Sequence, residues 1–457
     1  MQQGGKVEVA EAAGPVEACS TLGFGAAPIG NLYAPVSDAQ VRDAVAAALK
    51  AEICYFDTAP LYGFGLSETR LGAALAELDP GQRALISTKV GRRLEPAADD
   101  AASGPGGLRQ GFAEAAPFEP VFDYSYDGVL RSLEDSRRRL GRERIDILLA
   151  HDLGRATHGE MHAARFREFM EGGYRALRAL RDDGTIGAIG LGVNEWQVAE
   201  EALAAGDFDV VLLAGRYTLL EQGALESFLP LCATRGVEVI VGGPYNSGIL
   251  ASGSEEVTAH YNYELAPPEV VERVRRLEAV CRTFATPLAA AALQFPLAHP
   301  QVRCVIPGLA SAAEVAAADA HLRRQIPLGL WDALRDEGLL APDAPTPATP
   351  VDGLLSPLIL LDPRDNVLVC RRAILAGDRL ILDGRTLAAP SDIAVGHKVA
   401  RRPLAAGDKV VKYGAPIGSM REAAPAGGHV HMHNMRSDYI ISHTRGAATD
   451  QAVGGDQ

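Results

Sequence analysis

From about residue 20 to 325 the chain alternates between short apolar runs and longer amphipathic ones. Seven apolar runs are nearly continuous and rich in β-branched residues: ICYF (53–56), ALIST (84–88), IDILLA (145–150), IGAIGLG (186–192), DVVLLA (209–214), VEVIVGG (237–243) and VRCVI (302–306). That pattern predicts strands covered on both faces. A further strand is expected near STLGFGAAP (20–28). The amphipathic stretches between them predict helices over 38–51, 67–78, 127–140, 168–183, 195–205, 222–235, 268–285 and 311–322. Alternating strands and helices imply a parallel α/β sheet, and eight such units favour a closed (β/α)8 TIM barrel over an open doubly wound sheet. No G-x-G-x-x-G follows the first strand, which counts against the open dinucleotide-binding alternative.

Residues 92–122 break the alternation. The stretch is too long for an ordinary strand–helix loop and carries Gly104-Pro105-Gly106-Gly107, Pro117, Phe112, Phe118 and Phe122. It is expected to cover the substrate. The pattern is lost again after 340. Residues 341–356, with APDAPTPATPVDG, read as a Pro/Ala-rich, semi-rigid linker. Residues 357–436 read as all-β, with short strands joined by AGD and DG turns. Within them RRAILAGDRLIL (371–382) recurs as RRPLAAGDKVVK (401–412), so two similar strand–turn–strand units are expected. The expected domains are therefore 18–340 and 357–436, followed by a disordered tail over 437–457.

Composition narrows the function. The chain has 457 residues, 47% hydrophobic and 22% charged, as a folded multi-domain protein should. A formal charge of −14 repels a phosphate backbone, so no nucleic-acid partner is expected. The run Arg137-Arg138-Arg139 reads as a solvated helix face. No apolar segment reaches about 18 uncharged residues. The N-terminus lacks an apolar signal core, so no membrane association and a cytoplasmic location are expected. The six cysteines form no C-x-x-C pair and are expected to be free, mostly buried thiols.

In a parallel barrel, catalytic groups collect at the C-terminal ends of strands. Asp57 follows ICYF, Lys89 follows ALIST, His151 follows IDILLA, and Tyr62 lies in the loop after the second strand. Singly, each has a structural explanation: an Asp as a helix cap, a His beside a strand, a Tyr in a loop. Together at adjacent strand ends they suggest a proton-handling group. A Tyr hydroxyl is a poor base at neutral pH, and an adjacent ammonium lowers its pKa. Lys89 is expected to do this for Tyr62, with Asp57 holding Lys89 and His151 polarising a substrate oxygen. No side chain supplies a hydride, so a separate carrier is required.

Residues 20–340 resemble an aldo-keto reductase through YFDTAPLYGFGLSETRLG (55–72), STKVGR (87–92), FDYSYDGVLRSLEDSRRRLG (122–141), DILLAHDLG (146–154) and IPGLASAAEV (306–315). GNLYAPVSD (30–38), LLAGRYTLLEQGALESFLPLC (212–232), GGPYNSGIL (242–250) and AAALQFPLAHPQV (290–302) resemble the D-threo-aldose 1-dehydrogenase or L-fucose dehydrogenase branch in particular. The resemblance implies Tyr62 as general acid/base beside Asp57, Lys89 and His151. It implies Asn194 on the nicotinamide carboxamide and Tyr217 stacked on the nicotinamide. It implies Gly242, Gly243, Asn246, Ser247 and Gly248 over the pyrophosphate, and Gly308, Ser311 and Glu314 at the adenosine end. The cofactor is then NAD or NADP. Leu309, Ala310 and Ser311 stand where many relatives carry a basic residue for a 2′-phosphate, which favours NAD. Ala317 and Ala318 replace a Glu-Asn pair near the adenine, and Ala214 replaces a Gln.

Residues 357–436 resemble the small SAF-type (β-clip-like) domain of altronate and galactarate dehydratases through DNVLVCRRAILAGDRL (365–380), AVGHKVARRPLAAGDKVVKYGAPIG (394–418) and GGHVHMHN (427–434). His429, His431 and His433 alternate, so a strand would place them on one face, where a divalent metal such as iron or manganese could bind. The larger catalytic domain of those dehydratases is absent from this sequence. The module is expected to bind a sugar acid or a separate sugar-acid dehydratase subunit. The leading expectation is oxidation of an aldose at C1 to the lactone. The alternatives are reduction of small aldehydes or pyridoxal-like carbonyls, and a non-catalytic barrel serving as scaffold for the β module.

Overall fold

In a computed structural model of the chain, the described residues are 14–97, 107–255, 260–262, 264–347, 358–362, 364–371, 373–382 and 385–437. They fall into two compact units, Met1–Val351 and Asp352–Gln457. The proposed tail after 437 lies almost wholly outside the described residues.

Eight parallel strands form one sheet in sequence order: β1 (Phe24–Gly25), β2 (Tyr55–Asp57), β3 (Leu85–Val90), β4 (Ile145–His151), β5 (Ile186–Val193), β6 (Val210–Ala214), β7 (Glu238–Gly242) and β8 (Val302–Ile306). Parallel bridges Leu22–Val305 and Gly25–Gly308 bring β8 back to β1 and close the barrel. Closure needs glycine at this seam, because a Cβ on Gly25 would lie 2.7 Å from the Pro307 carbonyl oxygen. Inside, Tyr55, Ile147, Leu149, Val210, Leu212, Ile240, Cys304 and Ile306 pack as the barrel core.

The surrounding helices follow their capping chemistry. Helix Asp38–Lys50 starts at Ser37, whose side chain accepts from the Gln40 amide while Gln40 reaches back to the Ser37 amide. Its buried face is Val41, Ala44, Val45 and Ala48, at helical spacing. Helix Tyr126–Leu140 starts at Ser125 and ends at Gly141 with φ 62°. Its arginine run is not all solvated as expected. Arg138 is exposed, but Arg139 Nε donates to Glu68 Oε2 at 2.6 Å, and Glu68 is fully buried beneath it.

Four other features differ from the sequence expectation. The 168–183 helix is interrupted by a π-turn at Phe169–Gly173. Helices Leu288–Gln294 and Leu328–Asp336 lie outside the eight stretches whose pattern predicts helices. Both are short, and the first is apolar up to its last residue, Gln294, without amphipathic contrast. The 92–122 insertion forms two antiparallel ribbons, Arg92–Pro96 with Phe118–Phe122 and Leu108–Arg109 with Phe112–Ala113. The first linker residues are packed rather than free: Ala344 is buried, and Arg335 Nη2 donates to its carbonyl at 3.1 Å.

The second unit is all-β. Leu358–Ile359, Val367–Cys370, Lys398–Ala400 and His429–Val430 form one sheet. Lys409–Lys412, Ala415–Met420 and Met435–Ser437 form another, and Arg379–Leu382 pairs with Arg385–Ala388. Two small cores, around Leu380 and Val399 and around Val410 and Val430, hold it together. Five of the six cysteines are buried and all are free, with burial pushing Cys232 and Cys281 up to about 12. Among the described residues no helix is long and apolar enough to cross a membrane.

Candidate active site

The site is the top layer of the barrel interior. Side chains alternate along a strand, so residues two apart share a face. Tyr55 leads to Asp57 on β2, Leu85 and Ser87 to Lys89 on β3, and Ile147 and Leu149 to His151 on β4. The lower members are core; the last on each strand is ionisable. Gly192 on β5, paired with His151, leaves room for the lysine stem, since a Cβ there would lie 3.1 Å from Lys89 Cε.

These groups meet. Lys89 Nζ donates to Asp57 Oδ2 at 2.7 Å and Oδ1 at 3.0 Å, to the Thr58 carbonyl at 2.9 Å and to Tyr62 Oη at 3.2 Å. Ser87 Oγ donates to Asp57 Oδ1 at 2.7 Å, a contact not expected from sequence. The Tyr62 and His151 rings meet edge-on, with centroids 6.1 Å apart. Asp57, Lys89 and His151 are buried, whereas Tyr62 is half-buried. The Leu108–Ala113 ribbon is pinned by Ala113 N donating to the Asn31 carbonyl and Tyr33 N to that of Gly111. It sets Phe112 6.2 Å from the Tyr62 ring, a wall beside the hydroxyl.

The tuning of Tyr62 runs opposite to expectation. Burial, then the carboxylates of Asp57 and Asp152, hold its pKa well above the ordinary phenol value against the opposing Arg92 guanidinium. The ammonium of Lys89 is already matched by Asp57, so the pair offers the phenolate little net charge. Burial and the positive charges of Arg92 and Lys89 hold His151 well below the usual imidazole range, so the ring is neutral. Its Nδ1 is enclosed without a hydrogen-bond partner among the described residues. A raised pKa keeps the proton on Tyr62 until more alkaline pH. Oxidation needs that acceptor empty, so kcat/KM for oxidation should rise with pH through neutrality. A pH profile that plateaus at or below neutrality would contradict this.

Asp152 is a further member that sequence reasoning missed. It follows His151 with φ 47°, in the left-handed region. Its Oδ2 accepts from Arg92 Nη2 at 2.6 Å and lies 3.4 Å from His151 Nε2, and its Oδ1 accepts from Asn194 Nδ2 at 3.0 Å. One buried carboxylate thus links the histidine, the first ribbon and Asn194. The available signal was its place next to His151 at a strand end.

Residues 21–326 match the aldo/keto reductase family. The chain belongs to the aldo/keto reductase family. Residues 356–438 match the altronate/galactarate dehydratase SAF domain. The chain is 44% identical to pyridoxal 4-dehydrogenase of Microbacterium luteolum over 329 residues, covering 70% of this chain and 95% of that protein. It is 37% identical to D-threo-aldose 1-dehydrogenase of a Pseudomonas species over 330 residues, covering 72% of this chain and 96% of that one. The aldo-keto reductase AKR11C1 from Bacillus halodurans shares the fold, with TM-score 0.54 and 24% identity over 71% of this chain and 93% of that one.

An aldo/keto reductase is an NAD(P)-dependent oxidoreductase. Asn194 stands half-buried at the rim beside the catalytic group. Gly242 ends β7, and the loop beyond it turns left-handed at Gly243, Asn246, Ser247 and Gly248. Asn246 anchors that loop by donating to the Gly215 carbonyl at 3.0 Å and accepting from Thr218 Oγ1 at 2.6 Å. Gly308 follows β8 at the barrel seam. Ser311 caps helix Ala312–Arg323, and Glu314 Oε2 accepts from the amides of Ala310 and Ser311. The loops after β5, β7 and β8 therefore lie on the catalytic rim, as a nicotinamide cofactor requires. Tyr217, expected against the nicotinamide, is fully buried and packs on Phe295 and His299 with ring centroids 5.3 and 5.8 Å away.

The histidines of the SAF domain also regroup. His397, His429 and His431 bring one ligand nitrogen each within 4.8 Å of one another. His433 is exposed, with its ring 4.9 Å from that of His429, and is not in this group. The alternation holds only through His429–Val430. The chain then turns over 431–434, so strand spacing no longer sets the face.

Proposed function

We propose that the barrel is an NAD-dependent dehydrogenase that oxidises an aldose of the L-fucose or D-threo type at C1 to the lactone. The observation carrying this reading is Tyr62, half-open, with its hydroxyl on Lys89 and its ring edge on neutral His151. The identity to a D-threo-aldose 1-dehydrogenase supplies the substrate class. The lactol hydroxyl sits between Tyr62 and His151. Tyr62 takes its proton, and His151 orients the oxygen by a hydrogen bond. Oxidised nicotinamide, when bound, accepts the hydride and adds a positive ring that favours the phenolate. Asp152 holds Asn194, which positions the carboxamide.

The Glu314 carboxylate at a helix start, with no basic residue over 309–311, supports NAD over NADP. We expect kcat/KM for NAD to exceed that for NADP by at least about tenfold, or 1.4 kcal/mol. Equal values in initial-rate assays would refute this. A second reading, a pyridoxal-type carbonyl as substrate, is favoured by the higher identity to pyridoxal 4-dehydrogenase. Parallel assays with L-fucose, other aldoses, pyridoxal and small aldehydes separate the two by kcat/KM. The SAF domain is read as accessory: it takes the sugar acid formed when the lactone opens, or docks a separate sugar-acid dehydratase subunit. The match to a domain of altronate and galactarate dehydratases supports this.

A further inference from the structure

The C-terminal unit repeats one turn four times, not twice. The copies are Ile374–Asp378, Ile393–His397, Leu404–Asp408 and Ala424–Gly428. Each turns on a glycine with positive φ: Gly377 at 91°, Gly396 at 78°, Gly407 at 93° and Gly427 at 80°. Bridges Ile374–Ile393 and Leu404–Ala424 pair the copies. In the first and third, the Asp after the glycine caps its own turn. Asp378 Oδ2 accepts from Leu375 N, and Asp408 Oδ2 from Ala405 N, each at 2.9 Å.

The other two copies depart from this rule, and both departures meet at one place. His397 occupies the Asp position of the second turn. In the fourth, Gly428 takes that position and His429 follows. His397 Nδ1 lies 2.9 Å from His429 Nε2. His431 stacks on His397 with centroids 4.1 Å apart and planes at 12°. The backbone beneath is fixed. Buried Asn434 accepts from His431 N at 2.9 Å and donates to the His429 carbonyl at 2.8 Å. The His397 carbonyl accepts from Cys370 N at 2.8 Å. Three imidazoles thus lie together with one nitrogen of each within 4.8 Å of the others, two of them in hydrogen-bond contact, on a backbone held by hydrogen bonds of its own.

We propose that His397, His429 and His431 bind a divalent transition-metal ion. Three nitrogen donors suit such an ion and leave coordination positions open. Those positions would take a 2-hydroxy acid through its carboxylate and neighbouring hydroxyl. This second half rests on the reading that the unit receives a sugar acid.

The test uses the full chain, stripped with chelator and titrated with Co²⁺ alone, read by its visible absorption and by calorimetry. One ion per chain is expected, with affinity reduced at least about 100-fold in His397→Asn and in His431→Asn. His433→Asn should bind like the wild type. Circular dichroism and the protease resistance of the C-terminal unit, expected unchanged, show that the variants fold. No saturable binding, or full binding by folded His397→Asn, overturns the metal site. Adding an aldonate should then shift the cobalt spectrum. Binding of the ion without that shift overturns the 2-hydroxy-acid assignment and leaves the metal site standing.

Discussion

Tyr62→Phe is expected to lower kcat by about 10²–10⁴ in both oxidation and reduction, with KM little changed and the fold intact. The substitution removes one oxygen, the only half-open ionisable atom of the group and the one nearest the Phe112 wall. Asp57 and Lys89 keep their mutual bonds, so nothing buried is left unpaired. The effect is confined to proton transfer, because His151, held well below the usual imidazole range, is a weak proton acceptor and, when neutral, a weak proton donor. Steady-state kinetics in both directions, beside a circular dichroism spectrum, check this. A loss below tenfold would remove Tyr62 from the acid/base role.

Asp57→Asn should act on stability as well as rate. It leaves the Lys89 ammonium, 2% exposed, without its counter-charge, and loss of one partner of a buried pair costs about 3–5 kcal/mol. Lys89→Met strands the Asp57 carboxylate in the same way, although Ser87 still donates to it. The double variant should recover most of the loss while remaining inactive, because the charges are then removed together. The chain's two tryptophans, Trp196 and Trp331, both lie in the barrel unit, so their fluorescence in a urea titration follows the barrel. Additive losses in the double variant would show that the pair is not energetically coupled.

The barrel was legible because its signal is local. Near-continuous apolar strands at β4, β6 and β8 recur at intervals set by the helices between them. The catalytic group was legible because period two carries a core strand directly into its ionisable end, as in Leu85, Ser87, Lys89. What escaped depends on contacts across the sequence. Asp152 gains its role only when Arg92 and Asn194 close on it. The proton affinity of Tyr62 depends on Asp57 cancelling Lys89 and on a second carboxylate nearby. The ribbons at 92–122 are short, and one of them is anchored on the loop after β1, so their pairing leaves almost no periodic trace. His397 was overlooked because it lies far in sequence from the H-V-H-M-H run. Its signal was the G-H that replaces G-D in the turn repeat.

Deuterium at C1 of the sugar follows the hydride itself. An L-fucose or D-threo aldose deuterated at C1 is incubated with the full chain and NAD, and the reduced cofactor is examined by mass spectrometry and NMR. One deuterium is expected on the nicotinamide ring, with the lactone as first product and transfer slowed by about 10²–10⁴ in Tyr62→Phe. Unlabelled cofactor, or no reduction with any aldose while pyridoxal is oxidised, would contradict oxidation of an aldose at C1.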